Sequence, residues 1–79
     1  MTRYTLADVF ANKPYPDEPL FLDLWIFDIP DTMRAAIRNA PANTRAISFN
    51  AHEMPASHRH VVEQECAARG IDVVWRSLG

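Results

Sequence analysis

The chain has 79 residues, 48% of them apolar, with eight aromatics, one cysteine and a formal net charge of −2. That length predicts a single domain over 1–79 with a small core, because a chain of this size buries only about 60% of the surface it exposes when unfolded. A lone cysteine excludes an internal disulfide framework, the charge argues against direct nucleic-acid binding, and the longest apolar run, "LFLDLWIF", is too short to span a membrane.

Taken in chain order, "TLADVFA" (5–11) predicts a short helix, with Thr5 as cap, Asp8 three residues on, and Leu6, Val9 and Phe10 on one face. "KPYPDEP" (13–19) has three prolines in seven residues and reads as an extended connector, so residues 1–19 form a lead-in to the core. "LFLDLWIF" (20–27) is apolar on both alternating faces apart from Asp23, the pattern of a strand covered on both sides. "DTMRAAIRNA" then carries Met33, Ala36, Ile37 and Ala40 on one helical stripe, with Asp31 as N-cap and Pro41 as terminator. "RAISFN" (45–50) is a second strand. "PASHRHVVEQECAARG" is a second helix that ends at Gly70, and "IDVVWRS" (71–77) alternates as a third strand. The expected fold is therefore α/β: a β-α-β-α-β core over 20–79 with a three-stranded, mostly parallel sheet, two main helices and a short N-terminal helix. If both helices lie on one face, the other must be covered by the N-terminal segment, a second copy or a partner.

All three histidines fall within "HEMPASHRH" (52–60), and Cys66 follows. His58 and His60 are two positions apart and leave a helix in nearly opposite directions, while Cys66 lies about 12 Å along the axis from His58, too far to share a metal. Val62 and Cys66 are expected to face the core, with His58 at its rim and His60 in water. His52 and Glu53 sit in the loop after the second strand, at the carboxyl edge where open α/β folds place their ligands. They suit partner contact, and as an alternative could move protons. "FDIPDT" (27–32) has an aspartate at a strand end, as aspartyl-phosphate and Mg²⁺ enzymes do. Its D-x-x-D-T spacing departs from the haloacid-dehalogenase pattern, which leaves Asp28 and Asp31 as helix caps. The only glycines are Gly70 and Gly79, so no P-loop or dinucleotide fingerprint exists at the first strand–helix turn, and no cofactor is expected.

Charge is unevenly placed. Residues 1–31 hold six acids against Arg3 and Lys13 (−4), whereas residues 32–79 hold four acids against six arginines (+2). Asp17, Glu18, Asp23, Asp28 and Asp31 flank or interrupt the first strand, and Glu18 to Asp28 would span about 33 Å if extended. They predict an acidic strip of nucleic-acid-like length for a basic protein surface, with Trp25 as an aromatic anchor. Asp23, set among Leu22, Trp25 and Phe27, requires either an arginine, for which Arg76 is the candidate, or a partly open face.

In size and character the chain resembles the small acidic inhibitors encoded by phages and mobile elements, anti-CRISPR proteins among them. That resemblance implies a non-enzymatic protein in the cytoplasm of a bacterial host. It would bind a type I CRISPR Cascade subunit through an acidic, DNA-mimicking surface and block target DNA binding. Two other readings stand beside it: a small hydrolase or metal-dependent enzyme using His52, Glu53 and Asp28, and a homodimeric regulatory domain. Monomer and homodimer are both open.

Overall fold

The computed structural model describes residues 1–77. Its elements run β1 (Thr2–Thr5), α1 (Leu6–Phe10), β2 (Leu20–Ile26), α2 (Pro30–Arg38), β3 (Thr44–Asn50), α3 (Ala56–Ala68) and β4 (Asp72–Arg76). The four strands form one parallel sheet in the order β1-β2-β3-β4. The expected α/β class and parallel sheet hold, but the sheet has four strands rather than three. The extra strand is "TRYT", which pairs Thr2 to Leu20 and Thr5 to Asp23. It buries Tyr4 on one side and puts Arg3 and Thr5 on the other, an alternation too short to stand out in the sequence.

The predicted short helix is present over Leu6–Phe10, with Thr5 as its N-cap. The Asp8 carboxylate accepts hydrogen bonds from the Thr5 backbone N–H (2.8 Å) and hydroxyl (3.2 Å), so the junction of β1 and α1 is closed by a capping interaction. Asp31 is not the cap of α2. Pro30 occupies the first helical position, where its missing N–H costs nothing, and Ile29 becomes the N-cap. Asp31 instead sits in the first turn and pairs with Arg34 at 2.8 Å, while Asp28 accepts the Ile29 N–H at 2.8 Å.

The core lies between the sheet and two helices. Leu20, Leu22, Ile47, Phe49 and Ile71 point to the same side and pack with Met33 and Ile37 of α2 and Val62 and Cys66 of α3. Cys66 is fully buried, and burial pushes its thiol up to about 11, so it behaves as a small apolar side chain. Helix α3 ends in a Schellman turn: Ile71 N–H donates to Cys66 O and Gly70 N–H to Ala67 O, with Gly70 at φ +65. A Cβ at Gly70 would meet nothing within 4 Å, so the demand for glycine there is purely conformational. Gly70→Ala should cost about 1 kcal/mol in urea unfolding; an unchanged midpoint would contradict the left-handed cap.

Consecutive parallel strands that all step in one direction, with right-handed crossovers, place their helices on one face. The other face carries the alternate residues Arg3, Phe21, Asp23, Ala46, Ser48, Asp72, Val74 and Arg76, none of which joins the core cluster. Asp23, Ala46 and Ser48 are nonetheless buried, and Phe21, Val74 and Arg76 are half-buried.

Candidate partner-binding site at the carboxyl edge

The sequence-predicted residues divide among three places. Asp17 and Glu18 are exposed at the amino edge of β2, where the Asn43 side chain pins their segment by donating to the Pro16 (2.7 Å) and Glu18 (2.6 Å) carbonyls. Asp28, Asp31, His52 and Glu53 lie at or just beyond the carboxyl ends of β2 and β3. Seven strand residues, about 20 Å, separate the two edges.

Asp23 and Trp25 occupy the helix-free face between them. The Asp23 side chain is fully buried, with its Oδ2 held by Arg3 Nε at 2.7 Å and by Arg76 Nη2 at 3.4 Å. Burial pushes this carboxyl up, but the neighbouring Ser48 hydroxyl and the two arginines more than offset that, leaving it below its ordinary value. Its Oδ1 and the Arg76 Nε make no hydrogen bond, although the two side chains are already joined through their other atoms. A carboxylate so neutralised is not available to a partner. The acidic strip expected along the first strand is thus broken at its centre by two arginines, one from each edge strand.

Trp25 has φ +52, an uncommon conformation for a bulky residue, at the irregularity where β2 loses register with β3 between Leu22 and Ile26. Its backbone N–H donates to Ser48 Oγ at 2.9 Å, and Arg76 lies 6.0 Å above its ring and 5.9 Å from that of Phe21. Trp25 is half-buried there.

The carboxyl edge is different. Phe27 and Ile29 are 53% and 60% exposed, and together with Asp28, Glu53, Pro55 and His58 they line a hollow of about 470 Å³. Its far wall is rigidly built. Asn50 Oδ1 accepts the His52 N–H (2.9 Å), Met54 is buried beneath, and Arg59 donates to the Ala51 (3.0 Å) and Met54 (3.3 Å) carbonyls while lying 5.6 Å over the Trp75 ring. Glu53 turns through φ +58, a left-handed conformation that non-glycine residues rarely adopt and that clusters at functional sites. Sequence reasoning found Asp28 and Glu53 but missed Phe27 and Ile29. The available signal was an apolar residue on each side of Asp28 immediately before a helix-starting proline, where neither strand nor helix can bury them.

His52 Nε2 lies 3.8 Å from Glu53 Oε1, and both side chains are mostly in water. Such a pair is worth at most about 1 kcal/mol and is only loosely oriented. Ser48 lies on the opposite face of the sheet from the helices, its oxygen occupied by the Trp25 N–H. Among the described residues no group of three or more His, Cys, Asp or Glu side chains is placed to hold a metal ion. His58 is half-buried at the hollow and His60 is exposed. No described helix is long and apolar enough to cross a membrane.

The site thus joins exposed apolar area to the carboxylates of Asp28 and Glu53, with Asp31 and its partner Arg34 on the adjoining helix turn. That combination suits an apolar side chain flanked by cations. Compared with family models, curated proteins and solved structures, the chain matches none.

Proposed function

We propose that this chain is a non-enzymatic binding protein that inhibits its target by occupying a basic surface. The observation that carries the reading is the pair Phe27 and Ile29, exposed on either side of Asp28 and facing Glu53 across the hollow. Apolar anchors inside a charged rim supply affinity and orientation respectively, the usual division of labour in a protein interface. The candidate target is the DNA-binding surface of a type I CRISPR effector, as the resemblance of the chain to anti-CRISPR proteins implies. In this reading the acidic groups that matter are Asp28, Asp31 and Glu53. Asp17 and Glu18 lie too far off to share the contact, and Asp23 acts within the fold.

The test is surface-immobilised type I Cascade titrated with the purified chain, alongside target-DNA binding by the same complex. Binding that excludes target DNA is the expected result. Asp28→Lys with Glu53→Lys should weaken binding at least about 100-fold, in line with reversal of close interfacial charges. Phe27→Ser should weaken it about 10-fold or more, and Asp17→Lys with Glu18→Lys should change it little. Equal affinity for all three variants would overturn the assignment of the site. Absence of any Cascade binding would overturn the choice of target.

A further inference from the structure

We infer that the helix-free face of the sheet is a homodimer interface, in which two copies stack about a two-fold axis parallel to their strands. All-parallel sheets are almost always covered on both faces, and here helices cover only one. The strand register supplies the choice of occupant. One row across the open face reads Arg3, Phe21, Ala46, Asp72, because Arg3 pairs with Phe21, Phe21 with Ala46, and Ala46 with Asp72. A basic residue therefore stands on one edge strand and an acidic residue at the same level on the other, with apolar residues between. Rotation about an axis along the strands lays β1 of one copy over β4 of the other. Arg3 then meets Asp72 of the second copy at both ends of the row, an isologous arrangement.

Both groups are free to do this. Arg3 is 63% exposed and uses only Nε on Asp23, which leaves its two Nη groups for a second carboxylate. Asp72 is exposed and has no hydrogen bond or ion pair among the described residues. The charges that strand alternation puts on this face are Arg3, Arg76, Asp23 and Asp72, which sum to zero. A neutral face with opposite charges at opposite edges complements itself better than it complements a basic protein or a phosphate backbone. The half-buried Phe21, Trp25 and Val74 supply the apolar area, Ala46 and Ser48 being already buried within the chain. Four strands about 4.8 Å apart and five residues about 3.3 Å apart make about 300 Å² of projected sheet per copy. That is about 600 Å² in total, below the roughly 1,000 Å² a stable interface needs, so the pair is weak and forms only at high micromolar concentration.

Sedimentation velocity of the whole chain from 1 to 500 µM tests this. The expected result is a shift from monomer to dimer mass through the micromolar range, weakened several-fold by 0.5 M NaCl. Asp72→Arg sets two arginines against each other at each end and should abolish the dimer while leaving the far-ultraviolet circular dichroism unchanged. Asp72→Asn, a smaller change in case that variant fails to fold, should weaken association about 10-fold. A monomer at every concentration overturns the inference, as does a dimer indifferent to both substitutions or one lost on Phe27→Ser instead. A monomer that binds an oligothymidylate probe through Phe21 and Trp25 also overturns it. Because the face is separate from the carboxyl-edge hollow, Asp72→Arg should still bind Cascade, so the two readings fail independently.

Discussion

Phe49→Ala leaves the chain largely unfolded at 37 °C. Phe49 is wholly buried in β3, a central strand of the four, and its ring centroid lies 6.0 Å from that of Trp75. It belongs to the one cluster that joins β2 and β3 to both α2 and α3, so no neighbour can close the space without moving a helix off the sheet. Removing a buried phenylalanine costs about 3–5 kcal/mol. A single domain of this length has a total stability of about 4–12 kcal/mol, and small cores lie toward the lower end. Urea unfolding followed by circular dichroism measures the loss directly. Phe27→Ala, at an exposed position, should cost under about 1 kcal/mol in the same experiment. If the two variants melt alike, Phe49 is not at the centre of the core.

Asp23→Asn costs about 2 kcal/mol at pH 7, the range for losing hydrogen bonds to a charged group. The figure stays below the 3–5 kcal/mol expected for breaking a fully buried ion pair, because Arg3 and Arg76 remain 63% and 38% exposed and return to water when the carboxylate is gone. The pH dependence has a definite sign. The folded carboxyl sits below its ordinary value, so its stabilisation is fully present above the unfolded value near 4. It is lost as pH falls through that value toward the folded one. Asp8 and Glu65 are lowered as well, Asp8 chiefly by the Thr5 backbone N–H and Glu65 chiefly by Arg38, and they act in the same direction. The difference between wild type and Asp23→Asn therefore isolates the Asp23 share: it should shrink steadily from pH 5 to pH 2. A difference that stays constant over that range would mean that Asp23 is not ionised in its clamp.

How far the sequence carried depended on whether the relevant contact was local. The strands at Leu20, Thr44 and Asp72 and the helices at Pro30 and Ala56 were legible because each has its own periodicity and its own stop signals, a proline or Gly70. Strand β1 was not, since "TRYT" becomes a strand only by pairing with residues about eighteen positions away. For the same reason the clamp around Asp23 is only half legible. Its need for an arginine could be read from its apolar flanks, and Arg76 could be named, but Arg3 could not be placed beside it without β1. The carboxyl-edge position of His52 and Glu53 followed from order alone. The left-handed turns at Trp25 and Glu53 are set by packing and hydrogen bonds across strands, and no residue type at those positions announces them.

The uninterrupted strand order has one more consequence. In doubly wound sheets the order reverses once, helices on either side of the reversal diverge to opposite faces, and the gap between them is the crevice that receives a ligand. Here each strand lies beside its predecessor and the sequence of neighbours never turns back. The upper rim of this sheet therefore lacks a crevice between diverging helices, and its hollow is bounded instead by the two strand-to-helix loops and the start of α3.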